Sequence, residues 1–187
     1  MKKALLIIFF LLLPANLNAE NISKVYFAGG CFWCMEESFD KVDGVIKTIS
    51  GYSGGHVKNP KYKDVVINTT GHYETLEITY DSSIINFKKL LEIYWINIDP
   101  FDADGQFCDK GESYKSVVFF ENSNQKKIID ASIKNIEDKF NKKVVTYVKK
   151  FKEFYIAETY HQDYYEKNFI HHFFYIISSK FKCRKYI

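Results

Sequence analysis

The sequence predicts one α+β domain built on a ferredoxin-like split βαβ sheet, the α/β plait, and three observations favour this fold class. Apolar runs suited to buried strands alternate with amphipathic helical patterns along the chain. Glycine and proline separate these segments instead of forming a long linker. Hydrophobic residues make up 47% of the chain and aromatic residues 18%, which excludes disorder. We expect a mixed sheet with helices on one face and an aromatic C-terminal extension.

The predicted order is strand, helix, strand, strand, helix, strand, followed by one more helix and an edge strand. The predicted strands are Lys24–Ala28, Val45–Tyr52, Tyr73–Tyr80, Tyr114–Phe120 and Lys143–Val148. The predicted helices are Cys31–Lys41, Ile85–Ile98 and Gln125–Phe140. Gly29 and Gly30 end the first strand, and Pro100 marks the end of the second helix. Glycines also predict loops over Ser53–Lys61 and Phe101–Gly111.

The first 19 residues resemble a secretory signal peptide. Lys2 and Lys3 form a basic head, ten apolar residues follow from Ala4 to Leu13, and the small Ala19 precedes the expected cleavage point. The apolar run is shorter than the roughly 20 residues that span a bilayer. We therefore expect an exported protein, periplasmic or secreted, with residues 20–187 as a single catalytic domain. Removing two lysines and no acidic residue from a chain of net charge +3 leaves +1, which excludes a general electrostatic nucleic-acid binder.

All four cysteines, Cys31, Cys34, Cys108 and Cys183, lie beyond the expected cleavage point. An exported chain reaches an oxidising compartment, so disulfides are allowed. Four cysteines can pair in three ways, and the sequence does not choose among them.

The segment from Gly29 to Cys34 carries the strongest chemical signal. It lies where a strand turns into a helix, and helix N-terminal amides stabilise an anion. A thiol at this place is expected to have a lowered pKa, which makes Cys31 a candidate nucleophile. The neighbouring Phe32 and Trp33 either form an apolar wall for a substrate or simply pack in the core.

Glu74 shares one face of a predicted strand with Leu76 and Ile78. If this face is the core side, burial raises the pKa of the Glu74 carboxyl group, which could then act as a general acid. The opposite register would expose Glu74 and bury Glu77. The pattern alone leaves both registers open.

The segment Gly29-Gly30-Cys31-Phe32-Trp33-Cys34 closely resembles the signature of the peptide methionine sulfoxide reductase A family. Further segments resemble that family's motifs in the same order, over about residues 25–169. They are Gly51-Tyr52-Ser53-Gly54-Gly55, Asn59-Pro60-Lys61-Tyr62, Thr70-Gly71-His72-Tyr73-Glu74, Asp99-Pro100, Gly105 to Gly111, Tyr114-Lys115-Ser116, Phe154-Tyr155, Ala157-Glu158 and Tyr160 to Tyr165.

The resemblance implies the reduction of methionine S-sulfoxide, free or in proteins, without a metal or bound cofactor. It assigns the nucleophile to Cys31 and the acid that protonates the sulfoxide oxygen to Glu74. Tyr62 and Tyr114 match hydroxyls that hydrogen-bond this oxygen, and Asp109 matches a supporting polar residue. The resemblance assigns the methyl-binding wall to Phe32 and Trp33.

After Cys31 becomes a sulfenic acid, a second cysteine is expected to form a disulfide with it, which an external thioredoxin-like dithiol reduces. The candidates, in order, are Cys183 in a short basic tail, Cys108 before Asp109, and Cys34. Cys34 is placed last, because it lies one helical turn from Cys31. Its attack on the Cys31 sulfur could require local unwinding of the helix. We expect a monomer with no stable membrane anchor after cleavage.

Two other readings remain open from the residues. A thiol–disulfide oxidoreductase would use Cys31 and Cys34, but it leaves Glu74 and the glycine motifs without a role. A metal-binding module would combine the four cysteines with His56 or His72. It is weakened because zinc sites usually show paired ligands and only one such pair exists.

Overall fold

The computed structural model describes residues 21–168. The predicted signal peptide, the candidate Cys183 and the tail beyond residue 168 lie outside the described residues. In the described part of the chain, no helix is both long and apolar enough to cross a membrane.

Residues 21–168 contain both strands and helices, as the α+β prediction requires. The strands are β1 (Ile22–Ala28), β2 (Val45–Ser53), β3 (Tyr73–Asp81), β4 (Gly105–Gln106), β5 (Asp109–Lys110), β6 (Val117–Phe120), β7 (Tyr147–Lys150) and β8 (Phe154–Ile156). The helices are α1 (Phe32–Asp40), α2 (Tyr62–Val66), α3 (Phe87–Asn97), α4 (Ser123–Phe140) and α5 (Tyr164–Lys167).

Six strands form one mixed sheet in the order β7-β6-β1-β3-β2-β8, and β4 pairs with β5 in a separate small hairpin. The β6–β7 pair is parallel, whereas the other neighbours in the large sheet are antiparallel. The prediction of a mixed α+β fold is therefore confirmed.

The main hydrophobic core lies between the sheet and the three longest helices. Phe27 of β1, Leu76 of β3 and Val118 of β6 meet Phe39, Leu90 and Ile129 from α1, α3 and α4, and each of these side chains is fully buried. A smaller cluster on the opposite sheet face contains Tyr26, Ala28, Tyr73, Val117 and Phe119, with Phe151 and Phe154 packed against it. The sheet is thus covered on both faces, by the helices on one side and by the chain after α4 on the other.

Short-range capping sets the ends of the long helices. The side chain of Asn86 accepts a 2.9 Å hydrogen bond from the Lys89 backbone N–H at the start of α3. Asn122 does the same for Gln125 at the start of α4, also at 2.9 Å. Asn141 ends α4 in the left-handed conformation, with a φ of 48°.

Several predicted boundaries are wrong. The fourth predicted strand begins at Val117 and not at Tyr114, because Glu112–Tyr114 form a 3₁₀ turn. The edge strand starts at Tyr147 instead of Lys143. Three elements were missed, namely α2, the β4–β5 hairpin inside the predicted loop, and β8.

Candidate active site

The structure brings the predicted catalytic and wall residues together around one cavity of about 200 Å³. The cavity is lined by Cys31, Phe32, Trp33, Tyr62, Glu74, Asp109, Tyr114, Tyr164 and Tyr165. The two last tyrosines were not singled out from the sequence. Drug-sized ligands occupy sites of about 300–1,000 Å³, so this cavity suits one small side chain.

Cys31 sits at the turn from β1 into α1. It is the residue before the helix, and its φ and ψ of −59° and 118° are not helical. Gly30 precedes it with a φ of 82°, in the left-handed region that favours glycine. A Cβ at Gly30 would lie 2.6 Å from Cβ of Gln106, so this position must lack a side chain for the β4–β5 hairpin to pack here.

The expected lowering of the Cys31 pKa is wrong for the substrate-free site. A hydrogen bond with the Cys34 side chain, burial, and the nearby Glu74 carboxyl group raise the pKa of the Cys31 thiol well above its ordinary value. The backbone N–H of Cys34 acts in the opposite direction, as the helix N-terminus argument requires, but it does not compensate. The resting site therefore holds Cys31 as a thiol.

Glu74 points into the core, so the register that would expose it is wrong. The side chain is 2% exposed, and its Oε2 accepts a 3.1 Å hydrogen bond from the backbone N–H of Phe32. Burial raises the pKa of Glu74 to about 8, although the hydrogen bond from Phe32 opposes this shift. Glu77 is also buried, but on the other sheet face, where Lys24 donates to it at 2.7 Å.

Tyr62 and Tyr114 lie beside Glu74 and hydrogen-bond each other through their hydroxyl groups. Burial and the Glu74 carboxyl group raise the pKa of Tyr62 to about 12, and the pKa of Tyr114 is raised for the same two reasons. Both phenols are therefore neutral hydroxyl groups near neutral pH. Such groups can donate hydrogen bonds to an oxygen atom in the cavity.

The β4–β5 hairpin brings Asp109 to the same cavity. Gln106 anchors the hairpin, since its amide accepts from the Asp99 N–H at 2.7 Å and donates to the Asp99 carbonyl at 2.9 Å. Burial raises the pKa of Asp109, and the neighbouring Lys110 lowers it.

An aromatic wall closes one side of the cavity. Phe32 is 1% exposed and belongs to a cluster with Tyr52 and Val65, so it serves both as a core residue and as a cavity wall. The Trp33 ring stacks on Tyr164, with centroids 3.7 Å apart and planes 8° apart. The two readings of the Phe32-Trp33 pair therefore do not exclude each other.

An acidic and aromatic segment, for which the sequence predicted no role, supports this wall. Glu158 accepts from the Tyr52 hydroxyl at 2.9 Å and from the Tyr62 N–H at 3.1 Å. His161 is 1% exposed, and its ring lies 4.3 Å from that of Tyr62. Within the described residues neither His161 nitrogen has a hydrogen-bond partner, and burial lowers the His161 pKa. The dense run of aromatic residues in 154–165 was the available signal for this support.

Glu36 fastens the same segment to α1. It is 2% exposed and accepts hydrogen bonds from the Ser50 hydroxyl and from the Tyr164 N–H, both at 3.4 Å. Burial raises the pKa of Glu36 to about 7. This carboxyl group therefore holds the backbone of the residue that stacks on Trp33.

The cysteines occupy three different situations. Cys31 and Cys34 are not disulfide-bonded, and the Cys34 sulfur lies 3.4 Å from the Tyr165 hydroxyl oxygen. Cys108 is disulfide-bonded. Cys183 lies outside the described residues.

The hydrogen bonds of His72 do not support its role as a ligand in the metal-binding reading. His72 Nδ1 accepts from the Gly55 N–H at 3.1 Å, and its Nε2 lies 2.7 Å from the Val57 carbonyl oxygen. Both ring nitrogens of His72 are thus engaged with loop backbone atoms. Among residues 21–168, no group of three or more His, Cys, Asp or Glu residues is arranged to hold a metal ion.

A free thiol, a protonated carboxylic acid and two phenols around one apolar-walled cavity define the site of a thiol-dependent oxidoreductase. Residues 23–186 match the family described as peptide methionine sulfoxide reductase, and the chain belongs to this family. The chain is 46% identical over 165 residues to the peptide methionine sulfoxide reductase MsrA of Listeria monocytogenes, covering 87% of this chain and 93% of the relative. It is 48% identical over 163 residues to the MsrA of Bacillus pumilus, covering 86% and 92%.

Solved structures agree with this assignment. The reduced form of Mxr1 from Saccharomyces cerevisiae has a TM-score of 0.75 and 28% identity, and the match covers 81% of this chain and 88% of Mxr1. Methionine sulfoxide reductase A of Corynebacterium diphtheriae has a TM-score of 0.72 and 26% identity, covering 81% and 77%. The chain is therefore an oxidoreductase that reduces methionine S-sulfoxide with thiols, and the reading as a protein thiol–disulfide oxidoreductase is set aside.

Proposed function

We propose that Cys31 attacks the sulfur of methionine S-sulfoxide while Glu74 protonates its oxygen. The observation that carries this proposal is the buried Glu74 carboxyl group, whose pKa of about 8 keeps it protonated in the cavity that Cys31 lines. Sulfoxide sulfur is a poor electrophile until its oxygen is protonated or strongly hydrogen-bonded. A neutral acid is thus the group that this reaction needs.

In the proposed first step Cys31 loses its proton to solvent, its thiolate bonds to the sulfoxide sulfur, and the oxygen takes the proton of Glu74. The new S–S bond and the sulfoxide S–O bond then break as the oxygen passes to Cys31 as a hydroxyl group, which leaves methionine and a sulfenic acid. Tyr62 and Tyr114 donate hydrogen bonds to the same oxygen. Asp109 is a supporting polar residue in the same cavity.

Phe32 and Trp33 are proposed to hold the methyl group of the substrate. The apolar wall and the oxygen-binding hydroxyls are on different elements, so the methyl group and the oxygen atom have separate binding places. A sulfur with these two places fixed presents only one of its two faces to Cys31. This accounts for selection of one of the two sulfoxide epimers.

Cys34 becomes the first candidate for resolving the sulfenic acid, ahead of Cys183 and Cys108. The expected geometric objection does not hold, because Cys31 lies before the helix and its side chain already hydrogen-bonds that of Cys34. Cys108 is not a free thiol in this structure. The order derived from the sequence therefore changes.

A thioredoxin-like dithiol is the proposed reductant of the resulting disulfide, with no bound cofactor. One structure of similar fold is described as yeast Mxr1 in complex with Trx2, at a TM-score of 0.53 and 19% identity. This likeness concerns the fold, so the donor of the present chain is inferred from the chemistry of thiol–disulfide exchange. The protein substrates are surface methionines oxidised to the S-sulfoxide, and the enzyme acts as a monomer.

The remaining proposals concern location and fold class. The basic head and short apolar run of residues 1–19 support export, with residues 20–187 as one catalytic domain. Mass spectrometry of protein collected outside the cytoplasm would test cleavage after Ala19. The strand order β6-β1-β3-β2, with α1 and α3 as connecting helices, supports the ferredoxin-like plait.

The decisive experiment is a single turnover by the reduced protein with N-blocked methionine S-sulfoxide or R-sulfoxide, supplied separately. We expect one methionine per active site from the S epimer only, with loss of thiols, and none from Cys31→Ser. The Cys34→Ser variant serves as the matched cysteine control and should complete the first turnover. Methionine formation by Cys31→Ser, or equal use of both epimers, would overturn the proposed roles.

A further inference from the structure

We infer that Tyr165 positions Cys34 for its attack on the Cys31 sulfenic acid, through a hydrogen bond from the Tyr165 hydroxyl to the Cys34 sulfur. This inference rests on the proposed function and adds a residue to its second chemical step. Tyr165 is separated from Cys34 by 131 positions in the chain, yet its Oη lies 3.4 Å from the Cys34 sulfur. A sequence motif around Cys31 does not reveal this contact.

The rings of Trp33 and Tyr164 restrict the position of the Tyr165 side chain. Its side chain is 9% exposed, and its ring meets Trp33 edge-on at a centroid distance of 6.5 Å. It also meets the ring of Tyr164 edge-on at 5.8 Å. Two rings therefore restrict the side chain, and Tyr165 lines the same cavity as Cys31.

The direction of the hydrogen bond follows from the state of the sulfur. Either atom can donate while Cys34 is a thiol. A thiolate has no proton, so it can only accept, and the Tyr165 hydroxyl must then be the donor. Hydrogen bonds to a charged acceptor are stronger than those to a neutral one, so Tyr165 favours the thiolate that reacts.

Two ionisable groups near Cys34, namely Cys31 and Glu74, act against its ionisation. Cys31 lies on the same turn, and Glu74 on β3 interacts with Cys34 through its charge. A negative charge on either group disfavours a second negative charge on Cys34. Tyr165, on α5, can offset this repulsion by donating a hydrogen bond to Cys34.

The step that Tyr165 assists is balanced in atoms and electrons. The Cys34 sulfur attacks the sulfur of the Cys31 sulfenic acid, an S–S bond forms, and the S–O bond breaks. The leaving hydroxyl group takes up a proton from solvent, equivalent to the one lost when Cys34 ionises, and departs as water. Cys34 is oxidised and the sulfenic acid is reduced, so no external oxidant is required.

The test is Tyr165→Phe, which keeps the ring and removes the hydroxyl. After one turnover with methionine S-sulfoxide, the Cys31–Cys34 disulfide should form about tenfold more slowly at neutral pH, the effect of one pKa unit. The sulfenic acid should accumulate, as measured with a dimedone adduct. The rate should regain the wild-type value at higher pH. Tyr160→Phe, an exposed hydroxyl on the same segment, should keep the wild-type rate and pH profile.

A second measurement does not depend on turnover. In a Cys31→Ser background, thiolate absorbance should show Cys34 ionising at higher pH when Tyr165→Phe is added. In a Cys34→Ser background, Tyr165→Phe should not increase sulfenic acid accumulation further. An unchanged ionisation of Cys34, or disulfide formation at the wild-type rate and pH, overturns the inference about Tyr165. Absence of methionine formation by the wild-type protein would instead overturn the proposed function itself.

Discussion

The backbone N–H of Phe32 donates a 3.1 Å hydrogen bond to Oε2 of Glu74, which is 42 positions away in the chain. This bond joins the first residue of α1 to the buried end of β3, directly beside Cys31. A helix N-terminal N–H stabilises the charged form of a carboxyl group, whereas burial stabilises the neutral form. The effect of burial is the larger of the two, and the pKa of Glu74 therefore rises to about 8.

Glu74→Gln should slow methionine formation about 10²- to 10⁴-fold, the usual contribution of a general acid. The amide oxygen can still accept from the Phe32 N–H, so the fold should be retained. Single-turnover methionine formation measures the effect, and circular dichroism checks the fold. Glu77→Gln is the matched control, because Glu77 is buried on the opposite face of the same strand. Full activity of Glu74→Gln would remove this residue from the chemistry.

The pH dependence of the first step should reflect Glu74 and Cys31 together. The active form needs a protonated Glu74 and an ionised Cys31, so the pair holds one proton. The rate at low substrate should therefore rise with pH towards about 8, the pKa of Glu74. It should fall only beyond the higher pKa of the pair, because the pKa of Cys31 is also raised.

Glu74→Gln should convert this profile into a single rise with no fall, since only the Cys31 thiol remains to be ionised. Rapid-quench rates over the pH range in which both proteins stay folded provide the comparison. A fall of equal size in the variant would show that the alkaline limb belongs to another group.

Removal of one phenol hydroxyl should also slow the first step. Tyr114→Phe loses a donor to the sulfoxide oxygen, and loss of one such donor commonly costs about 10²- to 10³-fold in rate. Tyr62→Phe should act in the same direction. Because the two hydroxyls hydrogen-bond each other, the double variant should lose less than the product of the single effects. Tyr155→Phe, which loses a hydroxyl bonded to Glu153, is the control. Fully multiplicative losses would contradict the pairing.

Local patterns predicted the parts of the molecule that depend on local sequence. Strand alternation around Leu76 and Ile78 allowed a buried Glu74, and Gly29 and Gly30 marked the turn before Cys31. The pKa of Cys31 was predicted in the wrong direction. The prediction rested on the helix N-terminus, which lowers this pKa, whereas the facing Cys34 and Glu74 side chains raise it. Glu74 reaches Cys31 through a tertiary contact, and the effect of Cys34 depends on the orientation of its side chain. Neither is visible in a local sequence pattern.

The missed elements have a similar cause. Strand β8 has three residues and pairs with β2, where a Cβ at Gly51 would lie 2.3 Å from Cζ of Phe154. The close approach of these two chain segments explains the glycine, but the sequence does not name the partner. Tyr165 was one of 14 tyrosines and acquires its significance only from its contact with Cys34.

Glu36 should make the stability of the fold depend on pH. Burial raises its pKa from 4.5 to about 7, so the native state binds more protons than the unfolded state between these values. Its contribution to stability is complete below pH 4.5 and is lost as the pH rises to about 7. A shift of this size corresponds to about 3 kcal/mol in the free energy of unfolding.

Glu36→Gln should therefore show a smaller loss of stability than the wild type across this window, measured by urea unfolding at several pH values. Glu92→Gln, which removes an exposed charge from α3, is the control. A wild-type slope in Glu36→Gln would mean that Glu36 is ionised in the folded protein throughout this range.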